Sequence, residues 1–328
     1  MGFMRRKNMM PRSDSVKLPR HERETEREAP LSGRSHVKEG RPSLTAIAVA
    51  CARGLARVDP IADRLVPTPA GVGVRLVNRV VGDGALRGRA VRVLSLGFVE
   101  HLELRTKAID AVVAREAERG TRQVVVLGAG LDARAVRLAA LEGSIVFEVD
   151  HPSTQTLKRA RIDAAVRREH EHVRFVGVDF ERDALDAKLA EAGHDATLPT
   201  TWIWEGVTMY LVREAVAATL AIVRDRSTAG SVLAMTYSTP ELSTSIGPIR
   251  RFVKPVFVAL GEPLRGLVTT DEITTLVEAH HFEVEDDVGV SELGPRFGRP
   301  PPRFLIGERL MVVRSKGTSR SGGTAADR

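Results

Sequence analysis

One cysteine, Cys51, stands in 328 residues. That excludes an intramolecular disulfide and a cysteine-cluster zinc site, and it fits a reducing, cytoplasmic compartment. Aromatic residues make up 4% of the chain, too few for a base-stacking surface on single-stranded nucleic acid. No apolar run approaches the ~20 residues that span a bilayer, so no membrane partner is expected. No Ser–His or Cys–His nucleophilic set stands out. His280 and His281 have no identifiable carboxylate or third ligand beside them. They read as the end of a helix, where the dipole favours cations, and no metal is expected.

Basic charge is plentiful but misplaced for nucleic acid. The net charge is +7, yet residues 1–43 carry 11 Lys/Arg against 6 Asp/Glu and residues 314–328 carry 4 against 1. The body between them is close to neutral, so the basicity belongs to the ends and not to a shaped groove. Residues 1–42 and 317–328, rich in charge, Gly, Ser and Pro, are expected to be disordered tails. No nucleic-acid partner is expected.

The stretch Gln123–Pro152, QVVVLGAGLDARAVRLAALEGSIVFEVDHP, organises the rest. Val124–Leu127 is a β-branched run suited to a buried parallel strand. It breaks into Gly128-Ala129-Gly130, where two glycines let the backbone turn sharply and approach a ligand closely. The spacing of Leu131, Ala135, Leu138 and Leu141 predicts a helix over 131–141. A second strand, 144–149, then ends in Asp150, about 20 residues beyond the first glycine. This order aims a helix N-terminus at one end of a nucleoside and offers a carboxylate to both ribose hydroxyls.

Either side of this unit the pattern alternates. Ser43 is a plausible cap for an Ala-rich helix over 43–57, followed by a short helix at 61–66 and a broken helical span over 71–100. A helix over 103–119 presents Ile109, Val112 and Val113 to the core and Glu116 and Glu118 toward its polar side. Residues 153–169 form a basic helix whose Lys158, Arg159, Arg161, Arg167 and Arg168 read as a solvated face. A third strand, 172–178, ends in Asp179-Phe180, an acid beside a ring that suits adenine. Strands at 201–204 and 231–237 flank a helix over 213–226. Thr269 to Glu272 reads as a helix start. The last two strands, 282–288 and 308–314, have no helix predicted between them and are expected to pair antiparallel. Arg296, Arg299 and Arg303 on their connection read as solvent-exposed.

The runs LGAGLDAR, FEVDHP and WEGVTMYL, in this order, resemble the S-adenosylmethionine-dependent methyltransferases related to leucine carboxyl methyltransferase. The resemblance extends from Ser43 to Arg314, with one departure at Ala133, where the family pattern has Thr. It implies an α/β class I methyltransferase fold of the Rossmann-like kind: a seven-stranded, mostly parallel sheet with an antiparallel last strand. A methyltransferase domain over 43–316 would then carry an N-terminal helical cap (43–122) and a substrate lid (239–268). The cofactor implied is S-adenosyl-L-methionine, held by Arg105, Gly128, Gly130, Asp150, Asp179, Phe180 and Glu205. Arg105 would meet its methionine carboxylate and Glu205 would lie near its methionine part. Tyr210 could line the acceptor pocket or simply pack against a helix.

A sulfonium donor brings its own electrophilic methyl and leaving group, so the protein mainly aligns the reactants and excludes water. A carboxylate acceptor needs no general base; a hydroxyl does, and no base is evident. The expected function is methyl transfer to an oxygen of a small molecule or an exposed carboxylate. Two rivals stand beside it. GAGLDA also satisfies Gly-x-Gly-x-x-Ala, which fits an NAD-dependent oxidoreductase, and a non-catalytic cofactor-binding module is the third reading.

Overall fold

A computed structural model describes residues 43–82, 85–165, 170–179, 183–244, 262–302 and 304–317, with single positions 2, 255, 257 and 258. Phe180, Arg167, Arg168, Arg303, much of the expected lid and nearly all of both tails lie outside the described residues.

Five apolar runs become parallel strands: β1 (Gln123–Leu127), β2 (Ile145–Asp150), β3 (Val173–Gly177), β4 (Thr200–Trp204) and the start of β5 (Val232–Thr244). With β6 (Phe282–Gly289) and β7 (Phe304–Ser315) they form one sheet in the order β3-β2-β1-β4-β5-β7-β6. The last strand slots antiparallel between β5 and β6. Both faces of the central strands are covered, which is why they read as continuous apolar runs and not as alternation. Val125 and Leu127 join Phe147, Trp202 and Trp204 in one core. Val124 and Val126 join Val146, Ile203 and the helix residues Ile109 and Val113 in the other. Each such side chain contributes roughly 1.5–3 kcal/mol by leaving water.

Before β1 come α1 (Leu44–Ala56), α2 (Ala62–Leu65), α3 (Thr68–Val80), α4 (Ala85–Leu94) and α5 (Phe98–Glu118). Ser43 caps α1 as expected, its hydroxyl accepting from Ala46 N–H at 3.1 Å. The long helix α5 begins five residues earlier than its apolar face indicated and is buried along most of its length. Glu116, expected on its polar side, is buried and gripped by Arg115, Arg119 and Arg314. Its partners come partly from β7, which local periodicity does not see.

The expected helix over 131–141 is instead α6 (Arg134–Arg137) followed by a 3-10 turn, Ala139–Leu141. Asp132 Oδ1 accepts from Arg134 N–H at 2.7 Å and sets the late start. Extended Leu138 then breaks the run. In α7 (Pro152–Ala165), Lys158 is not solvated: it is buried against Glu148 of β2, Nζ to Oε2 2.6 Å.

After β3 come α8 (Leu185–Glu191), β4, a 3-10 turn over Thr208–Tyr210, and α9 (Arg213–Asp225). Strand β5 runs past its expected end into the 239–268 segment, with a register shift against β7 between Ser238 and Ser243 around Pro240, which has no N–H to give. The start of α10 (Thr270–Ala279) is a capping box: the Thr269 hydroxyl accepts from Glu272 N–H, and Glu272 accepts from Thr269 N–H. His280 hydrogen-bonds the carbonyl of Leu276, and His281 takes a left-handed conformation after it. A short helix, α11 (Val290–Arg296), does stand between β6 and β7. It packs beside α5 and leaves the two strands free to pair antiparallel. Arg296 and Arg299 are exposed as expected.

Candidate functional site

The residues singled out from the sequence converge at the carboxyl ends of four adjacent parallel strands, where open α/β sheets bind ligands. Gly128 follows β1, Asp150 ends β2, Asp179 lies just past β3 and Glu205 follows β4. Gly128 (φ +70°) and Gly130 (φ +48°) both need left-handed backbone. A Cβ on Gly128 would stand 2.5 Å from Val207 Cγ2, so that position has no room for another residue. Asp150 turns back onto this glycine turn: Oδ2 accepts from Gly130 N–H at 2.5 Å and Oδ1 from its neighbour His151 N–H at 2.7 Å. Burial pushes its carboxyl above the usual range, and the two N–H groups and nearby Lys158 offset this only in part. Asp179 is tied to Asp183 through its backbone. Its N–H donates to Asp183 Oδ2 at 2.8 Å and its carbonyl accepts from Asp183 N–H.

Beside the turn lies a buried cluster of alternating charge. Glu205 is held by three arginines: Arg53 of α1 (Nη2 to Oε1, 2.7 Å), Arg105 of α5 (Nε to Oε1, 2.8 Å) and Arg134 of α6 (Nη1 to Oε2, 2.7 Å). Arg105 also reaches Glu308 of β7, Nη1 to Oε1 2.6 Å, and His101 hydrogen-bonds the other oxygen of Glu308 from behind. Arg134 is paired with Asp132 and with Asp110 as well. Burial alone would raise the Glu205 carboxyl, but the guanidiniums of Arg53, Arg134 and Arg105 hold it well below the usual carboxylate range. Asp132 is likewise opposed by burial, yet Arg134 and Arg53 bring it down to about 2. For Glu308, Arg105 and His101 outweigh burial and lower the carboxyl. Within this cluster one guanidinium nitrogen has no partner among the described residues. Arg134 Nη2 is buried without a hydrogen bond. Arg105 Nη2 faces Gly206, where even a Cβ would stand only 3.6 Å away.

Sequence reasoning named Arg105 and Glu205 but not Arg53, His101, Asp132, Arg134 or Glu308. The available signals were an acid inside an apolar strand (Glu308 in IGERLMVV) and an arginine within an Ala-rich helix (Arg53). Tyr210 ends the 3-10 turn after Glu205-Gly206 and stacks obliquely on Phe257, ring centres 6.3 Å apart. Among the described residues no group of three His, Cys, Asp or Glu could hold a metal, and no helix is long and apolar enough to cross a membrane. A cavity of about 20 Å³ lined by Val216, Tyr237 and Ile273, and a cleft of about 260 Å³ lined by Asp63, Arg64 and Arg161, share no residue with the strand-end set.

Comparison with known proteins returns the same chemistry. A family model described as leucine carboxyl methyltransferase matches residues 44–224. An inferred S-adenosyl-L-methionine-dependent methyltransferase of Mycolicibacterium gilvum is 34% identical over 289 residues, covering 80% of this chain and 89% of its own length. A protein of the same description from Streptomyces coelicolor is 39% identical over 163 residues; the match covers 50% of this chain and just over half, 55%, of the relative. Among solved structures, an inferred methyltransferase from Thermobifida fusca superposes with a TM-score of 0.52 at 16% identity, covering 88% of this chain and 100% of that one. That likeness speaks for the fold, a class I methyltransferase sheet.

Proposed function

The chain belongs to the leucine carboxyl methyltransferase family, and from that premise we propose that it transfers a methyl group from S-adenosylmethionine to an oxygen, carboxylate or hydroxyl, of a small molecule or an exposed carboxylate. The donor is S-adenosylmethionine, which brings an activated methyl and a neutral leaving group. The residues at the strand ends fit it. The observation that carries this reading is Asp150 folded onto the glycine turn, with carboxylate lone pairs left over for two vicinal hydroxyls. The antiparallel β7 beside β5 also separates this sheet from that of a dinucleotide-dependent oxidoreductase.

In this reading Gly128 and Gly130 let the backbone approach the donor, Asp150 orients its ribose, and Asp179, with Phe180, meets the adenine. The methionine end lies toward Arg105 and Glu205. Arg105 Nη2 meets the carboxylate in the space that Gly206 leaves open, and Glu205 faces the ammonium. Residues 43–122 act as a helical cap, residues 239–268 as the lid over the acceptor, and Tyr210 lines its pocket. The reaction then needs only alignment and exclusion of water.

Calorimetry with S-adenosylmethionine, S-adenosylhomocysteine and NAD tests the donor. Both adenosyl compounds should bind the wild type and lose at least about 100-fold in Asp150→Ala, a loss of roughly 2.7 kcal/mol. Binding of NAD alone would restore the oxidoreductase. Methyl esters break in mild alkali and methyl ethers do not, so label transferred from tritiated donor sorts carboxylate from hydroxyl acceptors.

A further inference from the structure

Methylation of a hydroxyl needs a proton acceptor, and no base was evident from the order of residues. The fold brings a carboxylate, Glu262, beside the turn that follows Glu205. Residues 262–267 lie tightly on the turn that carries Tyr210: Arg265 and Gly266 N–H both donate to the Met209 carbonyl, at 3.0 and 2.9 Å. A Cβ on Gly266 would stand 2.1 Å from the Thr208 carbonyl oxygen. Leu267 continues into a bridge with Ser238 of β5. This docking sets Glu262 among groups from two distant parts of the chain. Its Oε1 accepts from the Ser43 hydroxyl at the start of α1, 2.5 Å. No Lys, Arg or His among the described residues forms an ion pair with it.

Beside Glu262 are two buried hydroxyls, Tyr210 Oη and Thr45 Oγ1. They lie close enough to act on one another, and among the described residues neither has a further protein partner. Leaving buried polar atoms unmet is costly unless a ligand meets them. Around them Met209, Leu242, Leu305, Phe98, Phe257 and Leu264 form an apolar wall. Burial, together with the charges of Glu262 and Glu308, pushes the Tyr210 phenol up, so at neutral pH it stays a hydrogen-bond donor. Glu308 and Arg105 both act on Tyr210, which ties this corner to the cluster where the methionine end of the donor is proposed to lie.

We propose that the acceptor is an apolar molecule bearing a hydroxyl, that Glu262 takes its proton, and that Tyr210 and Thr45 hold its oxygen. The proposal rests on the methyltransferase reading and narrows its acceptor from any oxygen to a hydroxyl. A hydroxyl offers a lone pair to Tyr210 and a proton to Glu262, whereas an ionised carboxylate would bring a like charge against Glu262. In the transfer the O–H proton passes to the Glu262 carboxylate and an oxygen lone pair forms the bond to the methyl carbon. The carbon–sulfur bond breaks with its electron pair left on sulfur. Glu262 then returns the proton to water.

The test uses the full chain saturated with S-adenosylhomocysteine and two probes of similar length, 4-heptylphenol and octanoate, titrated by calorimetry into wild type and Glu262→Gln. Failure of S-adenosylhomocysteine itself to bind defeats the donor reading, and only the later step addresses the acceptor. The phenol should bind at least about tenfold more tightly than octanoate, and Glu262→Gln should erase that preference by admitting the carboxylate. In turnover with tritiated donor, wild type should form an alkali-stable ether, with Glu262→Gln slower by roughly 100-fold or more at unchanged S-adenosylhomocysteine affinity. Octanoate binding as tightly as the phenol, a preference that survives in Glu262→Gln, or no binding of either probe overturns the proposal.

Discussion

The glycine turn and the arginine–carboxylate cluster stand at the same end of the sheet and are built in opposite ways. The turn comes from one continuous stretch and works through backbone: positive φ at Gly128 and Gly130, and the Gly130 N–H aimed at Asp150. The cluster draws Arg53, Arg105, Arg134, Glu205 and Glu308 from five separated segments and works through side chains. Their carboxylates are poised oppositely as well. Asp150 is held above the usual range and Glu205 well below it. Charge at Asp150 is therefore tolerated at a cost to stability, whereas charge at Glu205 is a condition of the fold. One region has free energy to gain from a ligand; the other holds the fold together until the ligand arrives.

The sharpest way to break this contrast is Glu205→Ala. It takes one carboxylate from three buried guanidiniums that keep Asp132, Asp110 and Glu308 as other partners, and removing one partner of a buried ion pair costs about 3–5 kcal/mol, so chemical denaturation should show a loss of that size. The glycine turn should respond to bulk instead of charge. Gly128→Ala meets both a positive φ and Val207, costing about 1–3 kcal/mol. Gly143→Ala has a similar φ but open space around it and should cost about 1 kcal/mol. Equal losses at both positions would mean that the approach to Val207 is not constraining.

Acid separates the regions by sign. Asp150 has a raised folded pKa, so the folded state binds the extra proton and stability rises as pH falls through that titration. Asp132 and Glu205 have lowered folded pKa values. Their stabilisation is complete above the unfolded carboxylate range and is lost as pH falls toward about 2 for Asp132. Carbon-13 titration of these three carboxyl groups should show Asp150 taking its proton before Asp132 and Glu205 on acidification. Asp150→Asn should accordingly shift stability at neutral pH by less than about 1 kcal/mol, in the stabilising direction, while removing adenosyl binding. A large destabilisation would show that the carboxylate is structural and that the comparison between the regions fails.

What could be read from residue order follows the same division. The parallel strands, the glycine turn, Asp150, the Ser43 cap and the Thr269–Glu272 capping box rest on spacings of a few residues. Lys158 could not be placed. A cation on a polar helix face looks solvated until its partner Glu148, an acid inside the strand IVFEVD, is known to lie beneath it. Glu116 and Glu308 hide for the same reason, since each has an arginine partner about 200 residues away. Glu262 is hidden more deeply, because its neighbours Tyr210, Thr45 and Ser43 come from two other segments, and no local pattern marks any of them as a set.

The place of β7 in the sheet has a consequence during synthesis. The strand next to β5 is the last one made, and it carries Glu308, the partner that completes Arg105. At roughly 5–20 residues per second, β1 to β5 emerge several seconds before that strand leaves the ribosome. Throughout that interval the nascent chain presents an unpaired edge at β5 and a guanidinium lacking one of its two carboxylates. Chains that end before residue 308 keep that open edge and that half-paired charge for good.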